Sequence, residues 1–177
     1  MMKKIWAISI AAALALSLTA CGAGNVTSAS SAAGSSSSQA APVSSAAAID
    51  AGSVSDDLAG LQKYLVSGAS VSGTAEKMRY DIIGAKSGVR YKYSAANGKD
   101  NVTLELYEFD PSNLNSKAQE VISSVKSSGK FTLLGQQVGA VLSKNGKYLM
   151  IYKNTMSDSA NASYGKNLQK LFTEFKA

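Results

Sequence analysis

The chain lacks much of the chemistry that catalytic and metal sites use. Its 177 residues include no histidine and one cysteine, Cys21. A disulfide within the chain is therefore excluded, and so is a metal site built from Cys and His. Because histidine is the commonest general base, most arrangements that activate a nucleophile are missing too. The sequence predicts no cofactor and no metal, and it favours a protein that is not an enzyme.

Charge is also scarce. Charged residues make up 17% of the chain, and the formal net charge is +6. Loss of Lys3 and Lys4 with the N-terminal segment, expected below, leaves 16 basic against 12 acidic side chains, a net charge of +4. An excess of this size favours anionic surfaces but is too small to predict nucleic acid as a partner.

The N-terminal segment has the pattern of a secretory signal. Lys3 and Lys4 precede an uncharged, largely apolar run over residues 5–18. As a helix this run spans about 21 Å at ~1.5 Å per residue, short of the ~30 Å hydrocarbon core of a bilayer. We therefore interpret residues 1–20 as a signal peptide and not as a transmembrane anchor.

The signal ends in a cysteine motif. Leu18-Thr19-Ala20-Cys21 resembles the lipobox of bacterial lipoproteins, in which a branched residue and two small residues precede the cysteine. The resemblance implies diacylglycerol on the Cys21 sulfur and cleavage before Cys21 by the lipoprotein signal peptidase. It implies a secreted protein anchored in the cell membrane on the extracytoplasmic face, with the membrane as a partner. The alternative is an ordinary secretory signal with a chance cysteine.

A stretch rich in Ser, Ala and Gly follows, over residues 21–54. It has too few large apolar groups to offset the entropy of ordering it, so we expect a lipid-anchored, disordered tether. As a coil it has a root-mean-square span of about 30 Å. Residues 55–177 are expected to form one compact domain. This order is similar to that of small envelope lipoproteins of Gram-positive bacteria.

Four helices are expected in the domain. Ser55-Asp56-Asp57 precedes leucines at helical spacing, and Gly68 ends that first helix. A second, short helix is predicted from Thr74 to about Ala85. A third opens at Asp110-Pro111-Ser112 and ends at Gly129. The last one carries these apolar residues: Tyr164, Leu168, Leu171, Phe172 and Phe175.

Two hairpins are expected between these helices, because Asn-Gly pairs favour type I′ turns. The turn at Asn97-Gly98 places apolar residues on one face and the Arg90–Glu105 pair on the other. Its predicted apolar pairs are Tyr93–Val102, Tyr91–Leu104 and Val89–Leu106. The turn at Asn145-Gly146 predicts the pairs Leu142–Leu149 and Ala140–Ile151.

These elements predict an α+β fold. Two ββα units form a four-stranded antiparallel sheet with helices packed on one face, preceded by one or two short helices. The two Asn-Gly turns lie about 50 positions apart in the sequence, and so do the apolar residues of the third and the last helix. This recurrence suggests a repeat. The alternative is that this repeat of pattern is a coincidence.

The other face of the predicted sheet is the candidate binding surface. From the first hairpin it carries Arg90, Lys92, Glu105, Tyr107 and Phe109, and from the second Val141, Ser143, Tyr148, Met150 and Tyr152. The candidate binding residues are Arg90, Lys92, Tyr107, Phe109, Tyr148, Met150 and Tyr152. Aromatic and basic groups together suit an envelope protein, a glycan or an anionic polymer. The alternative is that helices cover this face and make it a second core.

We therefore expect a non-catalytic binding or interaction module of the cell envelope. One alternative is a small envelope hydrolase based on carboxylates, although Glu105 and Glu108 lie on opposite faces of one strand and cannot act as a pair. A second alternative is a structural or assembly subunit that associates through the same face.

Overall fold

The computed structural model describes residues 49–177, which lie within one unit of the chain, Pro42–Ala177. The predicted signal peptide, Cys21 and most of the predicted tether lie outside the described residues. The described part is an α+β fold, as the sequence predicts. Its helices are α1 (Leu58–Ala69), α2 (Ser116–Ser128) and α3 (Ser159–Glu174). None of them is both long and apolar enough to cross a membrane.

The strands form a five-stranded antiparallel sheet and a separate two-stranded ribbon. The sheet strands are β1 (Glu76–Lys77), β2 (Ser87–Tyr93), β3 (Val102–Glu108), β6 (Val141–Leu142) and β7 (Tyr148–Asn154). The ribbon strands are β4 (Lys130–Leu133) and β5 (Gln136–Gly139). The sheet has the order β1-β2-β3-β7-β6, and the ribbon pairs β4 with β5.

The register of the first hairpin is confirmed. Tyr93 pairs with Val102, Tyr91 with Leu104, Val89 with Leu106, and Arg90 with Glu105. The predicted tight turn is wrong, since the strands end at Tyr93 and begin again at Val102. The Asn101 side chain closes this longer loop, accepting from Ala95 N–H at 2.9 Å and donating to Ala95 C=O at 3.2 Å. The apolar cross-strand pairs thus keep the register with a different loop.

The second hairpin is shorter than predicted. Leu142 pairs with Leu149, as expected. Ala140 lies outside β6 and donates its N–H to Gly129 C=O at 2.9 Å, so its predicted pairing with Ile151 is not formed. The predicted turn at Asn145-Gly146 is not formed either, because Gly146 N–H bonds to Ser143 C=O at 2.9 Å and places the turn at Lys144-Asn145.

Helices cover both faces of the sheet, so the prediction of helices on one face is wrong. The first face, defined by Tyr91, Leu104, Leu106 and Met150, packs against α1 and α3. The second face, defined by Tyr107, Leu149 and Ile151, packs against α2 and the ribbon. Both faces of β3 and β7 carry apolar side chains, and each set is stabilised by removal from water. The order ββα does occur twice, but α2 and α3 lie on opposite faces, so the repeat stays a prediction.

Two helix predictions are corrected. Residues 74–85 form the short edge strand β1 and a 3₁₀ turn over Asp81–Ile83 instead of a helix. Met78 N–H bonds to Gly88 C=O, so this segment extends the sheet edge. Asp110 forms a turn by accepting from Ser112 N–H, and α2 starts later, capped by Asn115.

Residues just before the predicted domain boundary at residue 55 also contact the fold. Ala51 and Val54 pack against the first-face core. Ile49 N–H donates to the Ser67 hydroxyl at 3.2 Å, and Lys176 Nζ donates to Val54 C=O at 2.6 Å. The folded domain therefore includes the end of the segment assigned to the tether.

The N-cap of α1 gives a testable pH dependence. Asp57 accepts from Gly60 N–H at 2.7 Å and from the Ser55 hydroxyl at 2.8 Å, and these bonds hold the pKa of Asp57 below its usual 3.8. A carboxyl whose pKa is lower in the folded than in the unfolded state stabilises the folded state at every pH above its unfolded pKa. This stabilisation is lost as the pH falls through the pKa of the folded state. Asp57→Asn keeps a good cap but cannot titrate.

We therefore expect the melting temperature of Asp57→Asn to fall less than that of the wild type between about pH 5 and pH 3. At neutral pH the two proteins should differ little. Circular dichroism melts across this range provide the measurement. An equal loss in both proteins would show that Asp57 does not contribute to acid sensitivity.

Candidate functional site

The predicted binding face is not one surface. Along β3 and β7, Leu104 pairs with Tyr152, Leu106 with Met150, and Glu108 with Tyr148. Tyr148, Met150 and Tyr152 therefore lie on the first face, while Arg90, Lys92, Tyr107 and Phe109 lie on the second. The prediction that they share a face is wrong because no turn joins β3 to β7, and their relative register depends on tertiary packing.

Most of the predicted binding residues are buried. Relative exposures are 1% for Tyr107, 0% for Phe109, 0% for Tyr148 and 2% for Met150. Arg90 and Tyr152 are half-buried, and Lys92 is exposed. The second core considered as the alternative is thus present, although α2 and the ribbon cover the second face instead of the early helices.

The buried tyrosines have hydrogen-bond partners inside the fold. Tyr148 donates its hydroxyl to Asp56 at 2.7 Å, and Tyr107 donates to Glu105 at 2.9 Å. Burial raises the pKa of both phenols, and the hydrogen-bonded carboxylates raise it further. These tyrosines remain neutral hydrogen-bond donors, and their role in the fold is structural.

Glu108 is a buried carboxylate that ties α1 to the sheet. Its Oε2 accepts from Leu58 N–H and from the Ser87 hydroxyl, both at 3.1 Å. Its Oε1 lies 3.4 Å from Lys86 Nζ and 3.7 Å from Lys147 Nζ. A carboxylate at a helix N-terminus is stabilised by the helix dipole. Because both oxygens already have partners, Glu108 is not placed as a free general base.

The described residues offer no other converging acidic site. Glu105 lies on the second face with Arg90, and Glu108 lies on the first, as their positions along β3 predicted. Residues 49–177 contain no group of three or more His, Cys, Asp or Glu side chains that could hold a metal ion.

A row of polar side chains, with an exposed lysine at each end, lies on the second face. Lys92, Thr103 and Lys153 pair side by side across β2, β3 and β7, and we call them the cationic row. Both lysines are exposed, and neither forms an ion pair within residues 49–177. With neighbouring strands about 4.8 Å apart, the two lysine backbones lie about 10 Å from each other.

An open groove adjoins this row through Arg90, two residues before Lys92. The groove has a volume of about 620 Å³ and is lined by Lys77, Met78, Arg79, Ile82, Arg90 and Leu134. Leu134, at the tip of the ribbon, is 88% exposed. The groove therefore combines apolar side chains with three cationic ones.

Two of these cations are already paired. Arg79 lies 3.1 Å from Asp81, and Arg90 lies 2.9 Å from Glu105. Lys77 forms no ion pair among residues 49–177, and its Nζ lies 5.9 Å from the centre of the Tyr80 ring. The cations available to an outside partner are thus Lys77 and the two lysines of the cationic row.

Sequence reasoning found Arg90 and Lys92 but missed the rest of this surface. Lys153 was missed because the sequence analysis placed its β7 neighbours Leu149 and Ile151 on the face of Leu104, whereas β7 pairs with β3 so that they lie on the other face. Thr103 lay on the predicted face but has neither charge nor an aromatic ring, so it was not singled out. The ribbon had a usable signal, since Phe131, Leu133 and Val138 alternate around Leu134-Gly135, a two-residue turn. The groove residues within 74–85 were missed because the sequence analysis predicted a helix there.

Comparison with known proteins adds no functional assignment. No protein-family model matches the chain, and neither does any curated protein or solved structure. Its function is therefore inferred from its own surface.

Proposed function

We propose that the chain is a lipoprotein anchored through Cys21 on the outer face of the cell membrane, and that its folded domain is a non-catalytic binding module of the envelope. The lipobox resemblance supports the anchor. The uncovered surface formed by the cationic row and the groove supports the binding role.

The observation that carries the binding role is the contrast between this surface and the rest of the predicted face. Tyr107 and Phe109 are buried under α2 and the ribbon, whereas no element of residues 49–177 covers Lys92, Lys153 or Leu134, which are exposed. Exposed apolar groups rimmed by polar side chains are typical of interaction sites with proteins or membranes. A partner with anionic groups fits the lysines.

Site-specific photo-crosslinking in intact cells tests this role. A photoreactive side chain at Lys92 should give a crosslinked product, and Lys153→Glu should weaken it, because the two positions lie in one row. The matched control is the same side chain at Lys63, an exposed position on α1. Equal products from both positions would contradict a specific surface, and a crosslinked second copy of the chain would favour the assembly role.

A further inference from the structure

Leu134 occupies a backbone position that does not suit it. Leu133 pairs with Gln136, so Leu134 and Gly135 form a two-residue turn, with φ of 49° and 78°. This left-handed region favours glycine and asparagine, and a leucine there is strained. The side chain gains no burial in return, since it is 88% exposed. A contact outside the described fold would explain why an apolar side chain stands here.

The surroundings of Leu134 define the chemistry of that contact. Met78 and Ile82 line the same groove and extend its apolar part. Lys92 and Lys153 supply unpaired positive charge on the second face, and Lys77 lines the groove at the sheet edge. The nearby carboxylates Asp81 and Glu105 are held by arginines, and Glu76 lies opposite Arg90 on the sheet edge.

We propose that this surface docks on an anionic phospholipid membrane, with Leu134 inserted between lipids and the three lysines at the headgroups. An apolar tip surrounded by long cationic side chains matches the two layers of a membrane interface. Lysines near an anionic leaflet are attracted to its surface potential. Leu134 at the ribbon tip lines one groove with Lys77, Arg79 and Arg90, so apolar and cationic side chains lie together on this surface.

The choice of a membrane as the bound partner is supported by the proposed lipid anchor, and this step rests on the proposed function. A lipid on Cys21 and a tether of about 30 residues would keep the domain at an effective concentration on the order of a millimolar near its own membrane. A weak contact is then sufficient. A protein partner that binds from solution with useful affinity needs roughly 1,200–2,000 Å² of interface, more than one leucine and a few lysines offer.

Vesicle binding by residues 42–177 tests the proposal without the lipid anchor. Every strand and helix of the described residues, and both apolar clusters, lie between Ala51 and Phe175, so this segment contains the whole described fold. Its partitioning is measured by co-sedimentation with vesicles of phosphatidylcholine, with and without about 30% phosphatidylglycerol. We expect binding only to the anionic vesicles, and less of it as sodium chloride rises from about 0.05 M to 0.5 M.

Two pairs of variants locate the contact. Leu134→Asn removes the apolar group at a position that asparagine favours, so the fold is retained, and we expect at least a roughly tenfold loss in partitioning. Its control is Val66→Gln, at an exposed apolar residue on α1. Lys92→Glu with Lys153→Glu should lower partitioning by about 25-fold or more. The control with the same change of net charge is Lys63→Glu with Lys166→Glu, on α1 and α3.

The outcomes separate this proposal from the proposed function. Membrane docking through this surface would be overturned if both lysine double variants lost vesicle partitioning equally, or if Leu134→Asn lost none. Absence of vesicle binding together with a crosslinked protein at Lys92 would also overturn it and would leave the binding module intact. Absence of both vesicle binding and crosslinking would contradict both proposals.

Discussion

Tyr148→Ala is expected to destabilise the domain as strongly as Leu149→Ala, although the two side chains lie on opposite faces of β7. Both residues are 0% exposed. Tyr148 packs edge-on against Phe175, with ring centres 5.4 Å apart, and Leu149 belongs to the second-face core. Truncation of a buried aromatic or leucine side chain costs about 2–5 kcal/mol, through lost burial and the cavity left behind.

Matched variants separate the contribution of the Tyr148 ring to stability from that of its hydroxyl. Tyr148→Phe keeps the packing and loses only the hydrogen bond to Asp56, so its cost should be about 0.5–1.5 kcal/mol. Lys153→Ala, at an exposed position on the same strand, should cost less than about 0.5 kcal/mol.

Urea unfolding followed by circular dichroism measures all four variants, because the only tryptophan, Trp6, lies in the predicted signal peptide. A Tyr148→Ala protein as stable as the wild type would contradict the burial of this ring and would return it to the candidate binding surface.

Cys21→Ala is expected to abolish lipid attachment and to leave an unprocessed precursor. The thiolate of cysteine is the nucleophile that takes the lipid, and alanine offers no such group. The lipoprotein signal peptidase implied by the lipobox resemblance would then have no lipidated substrate. Metabolic labelling with a fatty acid, followed by the size of the product on a gel, gives the measurement.

Ser28→Ala is the control for this change, because it alters a neighbouring small residue and leaves Leu18-Thr19-Ala20-Cys21 intact. It should be labelled and processed like the wild type. Labelling and normal cleavage of Cys21→Ala would refute lipid attachment at Cys21, whereas normal cleavage of both proteins without labelling would indicate an ordinary secreted protein. The membrane-docking proposal would lose its tether at the same time.

The local features of the fold could be predicted from the sequence because their physical causes are local. The pairing of Arg90 with Glu105 follows from alternation along two adjoining strands, and any one-residue slip would place apolar side chains on the wrong face. The start of α1 follows from Asp57, whose side chain caps the helix, and the end of α2 follows from Gly129, with φ of 67°. The lipobox expectation at Cys21 came instead from a resemblance to bacterial lipoproteins and stays a prediction.

Only the tertiary structure decided which side chains share a surface. β3 and β7 are separated by a helix and the ribbon, so no turn fixes their register, and packing placed Tyr152 opposite Leu104. That single pairing divides the predicted aromatic face between two cores. It also brings Lys153 into line with Lys92 across Thr103, two lysines that are 61 positions apart in the chain. The periodicity of each strand determined its two faces, whereas the contacts between distant strands determined which faces are buried and which lysines remain exposed.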